Sequence, residues 1–347
     1  MPWFPLNQYI WDFWFTWQDS TLHLFYLQAS PSQCHYNPER RHNQAVLGHS
    51  QLTPWGWQTI PHPQPAFSPG KPGTWDDLAI WSGSIIQQDQ KYYLFYTGRR
   101  RQDAPQWTAH EWQRPQHIGL ATSEDLRHWQ RFPHNPILAN PGTAAGLDGV
   151  AWRDPYVIQG EDQRYYAFIC TRSQSAPLDR GGMVVYCVSD HLEQWDNQPH
   201  ILIESPEFYQ MEVPQVFWHK NGHFKRLYLI FSAQAKDCSA QRYEADPSQC
   251  VTGTYYHVSE PVSLDCQEFP PFTTKAKVLI SGLYAGKFVQ PKGENSALFY
   301  GFHWSEIGGH FGNGLSDPLW FQFQPDGTVS ISTSGFGISN NLLEFFV

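Results

Sequence analysis

The sequence predicts an all-β protein, a five-bladed β-propeller in a single domain, and three observations lead there. Aromatic residues make up 16% of the 347 residues (16 Trp, 17 Tyr, 23 Phe), and these residue types suit pleated strands. Turn formers are plentiful, with 26 Gly and 27 Pro. Most telling, a short aromatic strand signal recurs five times, at Leu24–Leu27, Leu94–Thr97, Ala167–Cys170, Leu229–Ser232 and Leu298–Gly301. With Phe25, Phe95, Phe168, Ile230 and Phe299 as markers, the copies lie 70, 73, 62 and 69 residues apart. Repeated units of that size in an all-β chain read as propeller blades. A large sandwich gives no reason for five like units.

Each blade can be justified from its own segment. Ahead of every marker lies another short strand: Trp11–Trp17, Trp81–Ile86, Asp154–Ile158, Val213–Trp218 and Ala285–Val289. Polar turns such as Gln87–Gln90, Gly160–Gln163 and Lys220–His223 join these to the marker strands as hairpins. A third strand ends in a shared signature, Ser123–Trp129 in one blade and Ser189–Trp195 in another, with Ser50–Trp55 a shorter relative. Fourth strands are expected at Pro136–Leu138, His200–Ile203 and Lys277–Ile280. The resulting blades span 9–75, 78–140, 150–205, 210–281 and 283–335 within one domain, 1–347, and the tail Leu342–Val347 is expected to close the ring. Long Pro- and Gly-containing loops fall at 31–38, 53–77, 140–149 and 236–252.

Composition excludes several function classes. A net charge of −9 argues against nucleic acid or an anionic membrane surface as partner, and no 18-residue apolar run occurs. The opening residues show neither a basic nor an apolar leader region, so the expected location is cytoplasmic. Six cysteines form no dense framework and are expected to be mostly free thiols. Cys170 and Cys187 sit in apolar runs, while Cys238 and Cys250 share one long loop and are the pair most able to bond. Sixteen histidines lack metal-ligand spacing, and nothing argues for a metal or other cofactor.

The chemistry-bearing residues recur at one blade position. Asp12 and Ser82 each lie 13 residues before their marker, Asp154 lies 14 before, and Glu212 lies 18 before, a longer turn accounting for the difference. First strands line a propeller's central channel, so Asp12, Asp154 and Glu212 are expected to meet at one end of the axis. Taken singly, each has an ordinary reading as a turn or strand-end residue, and Arg153 as a surface charge. Converging carboxylates shift one another's titration, which a purely structural site avoids. Trp11, Trp14 and Trp81 would offer walls for the apolar faces of a sugar ring. Two carboxylates flanking a glycosidic bond are the machinery of glycoside hydrolysis.

Four motifs in chain order, Trp11–Trp14, Trp81–Ser84, Trp152–Pro155 and Met211–Pro214, resemble the furanosidase clan of glycoside hydrolase families 32 and 68. The Trp-Asp-x-Trp pattern leans toward family 68, and neither the Asn-Asp-Pro-Asn pattern nor the additional β-sandwich of family 32 is expected. The resemblance implies a retaining enzyme acting on β-fructofuranosides such as sucrose or fructans, with a small-molecule or oligosaccharide substrate. It casts Asp12 as nucleophile, Glu212 as general acid/base and Asp154 as transition-state stabiliser. Trp11, Trp14, Trp81, Ser82 and Arg153 would bind substrate. The alternatives are a family 43-like arabinofuranosidase or xylosidase, and a catalytically silent sugar-binding propeller.

Overall fold

The computed structural model of the chain describes residues 2–61, 65–102, 114–289, 296–304 and 314–332. Five antiparallel sheets follow one another along it, each with its strands in chain order. Blade one comprises β1 (Tyr9–Gln18), β2 (Thr21–Ala29), β3 (Val46–Thr53) and β4 (Gly56–Thr59). Blade two comprises β5 (Ala79–Gln88), β6 (Lys91–Arg99), β7 (Gln116–Ser123) and β8 (Gln130–Arg131). Blade three holds β9 (Leu147–Gln159), β10 (Tyr165–Ser173), β11 (Gly182–Ser189) and β12 (His200–Glu204). Blade four holds β13 (Glu212–Asn221), β14 (Phe224–Ala233), β15 (Gly253–Val258) and β17 (Lys277–Ser281), with the short β16 (Val262–Ser263) paired to β14. Blade five holds β18 (Leu283–Val289), β19 (Ser296–His303), β20 (Leu319–Phe323) and β21 (Val329–Ile331). The first strands touch in a closed cycle, β1 with β5, β5 with β9, β9 with β13, β13 with β18 and β18 with β1. The fold is a five-bladed β-propeller.

The core is a ring of packing layers between neighbouring blades. One cluster joins blades five, one and two, and three others fill the two–three, three–four and four–five interfaces. Phe25, Phe95, Phe168, Ile230 and Phe299 are all fully buried in these layers, which explains why the chain repeats them. Trp3 and Leu315 exchange backbone hydrogen bonds of 2.9 and 2.8 Å, so the start of the chain is stitched to blade five. The expected closure by 342–347 lies outside the described residues, as do 333–335.

Three expectations are corrected. Pro136–Leu138 is not the outer strand of blade two: β8 takes that place, and Leu138 contributes only a bridge to Ile118. Pro136 has no N–H to offer a ladder, and the Asn135 side chain supplies two strand-like bonds to the Leu120 backbone, both 2.8 Å. The stretch 53–77 is not all loop, because Gly56 at φ 97° turns the chain back into β4. The stretch 236–252 carries α1 (Ala240–Ala245), the only α-helix among the described residues, capped by Ser239.

That excursion is anchored by one buried cation. Arg242 is 5% exposed; its Nη1 donates to Glu207 Oε1 at 2.6 Å and its Nη2 to the carbonyls of Gln249 and Ala276. Glu207 Oε2 accepts from the Ala276 N–H. Arg242→Met should leave the Glu207 carboxylate buried without its cation, costing about 3–5 kcal/mol. A drop in the urea midpoint at unchanged slope would register it; an unchanged midpoint would mean the pair is dispensable. All six cysteines are free, including Cys238 and Cys250. Titration under denaturing, non-reducing conditions should find six reactive thiols, and four would reveal a bridge.

Candidate active site

Every first strand carries a β-bulge near its pocket end. The ladder breaks between Ile10 and Phe13 in β1, Trp81 and Gly83 in β5, Arg153 and Tyr156 in β9, Glu212 and Gln215 in β13, and Tyr284 and Lys287 in β18. A bulge frees backbone groups and re-aims side chains. Here the neighbouring blade takes up the freed N–H groups: Asp154 N donates to Thr97 Oγ1 (2.9 Å), Ala285 N to Ser232 Oγ (2.9 Å) and Val213 N to Asp154 Oδ2 (3.0 Å). The catalytic candidates therefore stand on rigid, cross-linked strand irregularities.

The register corrects one equivalence. Trp81, Arg153 and Glu212 pair with Thr97, Cys170 and Ser232, each two residues after its blade's marker. Glu212 is thus the counterpart of Arg153 and Trp81, and the counterpart of Asp154 in blade four is Val213. Backbone angles agree, with φ of 58° at Asp154, 51° at Val213 and 52° at Ala285. Consecutive bulge residues on different blades still deliver their side chains to one place.

That place is a cavity of about 420 Å³ lined by Trp11, Asp12, Trp81, Arg153, Asp154 and Glu212, all expected from the sequence. Trp14 is not among its walls. It lies two residues farther along β1 and lines a separate cavity of about 190 Å³ deeper in the channel, with Tyr156, Gln215 and Lys287. Ser82 is buried beneath the floor, where its Oγ donates to Asp12 Oδ2.

Charge is packed tightly here. Arg153 Nη2 donates to Glu212 Oε1 at 2.8 Å and to Gln210 Oε1, and its Nε lies 3.5 Å from Asp154 Oδ2. Tyr284 donates its hydroxyl proton to Glu212 Oε2. Asp12 is pushed up to about 7, first by burial and then by repulsion from Asp154 and Glu212, with Ser82 and Arg41 pulling the other way. Asp154 is also raised, by burial and by Glu212, against the opposing pull of Arg153. Asp237, near Glu212, is raised to about 6 by burial and that carboxylate's charge.

Several wall residues escaped the sequence reading. Arg41 and His42 arrive from the 3₁₀ turn Pro38–Asn43, the Arg41 guanidinium lying 5.6 Å from the Trp11 ring. Trp81 Nε1 donates to the His42 carbonyl at 2.7 Å, and Arg99 stacks behind Trp81 at 4.1 Å. Tyr284 with Trp304, 4.8 Å between rings, forms a second aromatic wall, and Gln234 and Lys236 stand on the 3₁₀ turn beside it. Tyr284 alone had a sequence signal, since it precedes Ala285 as Glu212 precedes Val213. The Arg41 loop has no repeat partner.

Ser82→Ala tests the floor. Ser82 lowers the Asp12 value, so its removal should raise the acid limb of kcat/KM above about 7. Activity should fall about tenfold at pH 6 and recover by pH 8.5. A limb that stays in place would show that Asp12 is not the group being titrated.

The model of the glycosyl hydrolases family 32 N-terminal domain matches residues 17–305. The chain belongs to glycosyl hydrolase family 32. An insoluble-isoenzyme β-fructofuranosidase of Arabidopsis thaliana is 30% identical over 160 residues, which is 45% of this chain and 25% of that protein. Among solved structures, fructan 1-exohydrolase IIa from Cichorium intybus overlays with a TM-score of 0.68 at 17% identity, covering 96% of this chain and 60% of that one. Inulosucrase from Halalkalicoccus jeotgali overlays at 0.67 and 17% identity, covering 94% and 87%. This family 32 chain therefore spans about three fifths of the length of that exohydrolase structure. Its likeness to solved folds extends to both families of the clan at similar TM-scores, which gives no preference for family 68.

Proposed function

We propose that the chain is a retaining β-fructofuranosidase or fructosyltransferase that acts on sucrose or fructans through a covalent fructosyl-enzyme. The observation that carries this reading is the meeting of Asp12, Asp154 and Glu212 around one cavity of a family 32 propeller. The named activities of the relatives, β-fructofuranosidase, fructan exohydrolase and inulosucrase, support the substrate class.

Each role follows from local chemistry. Asp12 attacks the anomeric carbon of the fructosyl unit as the glycosidic bond breaks, and Glu212 gives its proton to the departing oxygen. Asp12 must be ionised to attack, which the Ser82 bond favours. Asp154 commits Oδ2 to the Val213 N–H, leaving its other oxygen for sugar hydroxyls as positive charge develops in the ring. Water or a second sugar hydroxyl then attacks the ester while Glu212 recovers the proton. The walls Trp11, Trp81, Tyr284 and Trp304 suit the apolar faces of a sugar. A cytoplasmic location is proposed with this reading.

The test is incubation with sucrose, levan, inulin and arabinan, with products separated by chromatography, and with methanol present as a trap. The expected outcome is fructosyl release with methyl β-fructofuranoside as the trapped product. Release from arabinan alone, or an α-configured product, would overturn the proposal.

A further inference from the structure

We propose that Lys287 is a positioning residue that sets the aim of Glu212; the proposal rests on the reading of Glu212 as proton donor. Lys287 stands on β18 directly after the blade-five bulge, is 4% exposed, and points across the blade interface. Its Nζ donates to the carbonyls of Val213 at 2.7 Å and Pro214 at 3.1 Å. Those are the two residues that the blade-four bulge leaves outside the ladder, immediately after Glu212.

The bulge needs such a partner. Val213 is β-branched and sits at φ 51°, a strained conformation that persists only where its surroundings impose it. Pro214 has no N–H with which to hold itself. Two groups from two other blades clamp the segment: Asp154 Oδ2 takes the Val213 N–H, and Lys287 takes both carbonyls. One residue farther on, Gln215 pairs with the Phe288 backbone through both ends of its amide, at 2.8 and 2.9 Å, so the next step of the junction is fixed as well. Without the ammonium, two buried carbonyls lose their donor. The Val213 and Pro214 peptide planes are then free to turn, and Glu212 turns with them, away from Arg153 and Tyr284.

The same ammonium is attracted by the charges of Asp154 and Asp12 and lies 5.6 Å from the Tyr156 ring. Burial lowers its titration to about 7 against the pull of those carboxylates. A role through charge on the nucleophile is therefore the competing account, and the two differ in what they do to donors. In the first step, misdirection of Glu212 harms only a donor whose leaving group needs a proton. A field effect on Asp12 or Asp154 harms every donor alike.

The experiment compares the full-length wild type with Lys287→Met and Lys287→Gln on sucrose and on a β-fructofuranosyl donor bearing a nitrophenyl leaving group. A crystal structure of each folded variant accompanies the kinetics. For Lys287→Met, kcat on sucrose should fall about 100-fold with little change in KM. The loss of kcat/KM on the nitrophenyl donor, which reports the first step alone, should stay under about tenfold, and Glu212 should have left Arg153 or Tyr284 in the crystal. Lys287→Gln keeps one donor for one carbonyl and should lie between Met and wild type. It supplies the same readouts should the Met variant fail to fold. Wild-type kcat, equal losses of kcat/KM on both donors, or a Glu212 that keeps both partners would each overturn the proposal. Wild-type inactivity on every fructosyl donor would instead sink the functional reading, while the crystal comparison would still judge Lys287.

Discussion

Asp12→Asn should abolish turnover, with kcat on sucrose down by about 10⁴-fold or more, while the variant becomes more stable than the wild type above neutral pH. The two halves share one cause. Asp12 is the carboxylate that bonds to the anomeric carbon in the proposed reaction, and an amide cannot replace it as nucleophile. The same carboxylate is uncomfortable in the folded chain: burial, Asp154 and Glu212 raise it from 3.8 to about 7. The sign of the stability effect follows from linkage. A carboxyl whose folded value is raised destabilises the fold only where the unfolded chain would ionise it. The Asp12 penalty is thus absent below about pH 4, grows as pH rises from about 4 to about 7, and is complete above that. Asn does not titrate, so the variant's advantage should be near zero at pH 4 and reach a plateau above pH 7. The plateau is at most on the order of 4 kcal/mol, because the amide also weakens the bond from Ser82. Thermal melts across pH read the stability, and initial rates read the activity. A dead but stabilised protein fits the assignment; wild-type turnover, or a stability difference that does not depend on pH, would break it.

The propeller was legible because burial imposes it on every blade. Phe25, Phe95, Phe168, Ile230 and Phe299 fill equivalent niches between sheets, and the spacing of such residues is written directly in the chain. Asp12, Asp154 and Glu212 were legible for a related reason, since a charge at the head of an aromatic strand is costly and a repeat of that cost is conspicuous. The bulges were not legible. One unpaired residue leaves the hydrophobic pattern on either side nearly unchanged, so Glu212 was aligned with Asp154 although the ladder pairs it like Arg153. That Trp14 lines the deeper cavity is not legible either, because sequence gives the direction of a side chain along a strand but not its depth in the channel. Arg41 and His42 come from a connection with no counterpart in other blades, and only the folded ring brings them to Trp11 and Trp81.

Glu212→Gln should lose about 10³-fold in kcat on sucrose, and the loss should depend on the donor. The fold has reason to tolerate the exchange. The amide oxygen can still accept from Arg153 Nη2, and the amide N–H can turn to the Tyr284 oxygen, so both neighbours keep a partner. What disappears is the proton. Departure of a glucosyl oxygen requires protonation as the bond breaks, whereas a nitrophenolate leaves as a stable anion. On the nitrophenyl donor the first step should therefore proceed within about tenfold of wild type. The second step is different, because water needs a base to attack the fructosyl ester at Asp12. The ester should accumulate, visible as a burst of nitrophenolate and as added mass on the peptide holding Asp12. Azide needs no base, so adding it should restore turnover and give a β-configured fructosyl azide. Asp154→Asn supplies the contrast: it supports charge in the ring whatever leaves, so it should depress both donors alike and gain nothing from azide. Equal losses of kcat/KM on both donors for Glu212→Gln, a quantity that reports the first step alone, or the absence of azide rescue, would remove Glu212 from the acid/base role and leave Asp237, raised to about 6 beside it, as the carboxyl to test next.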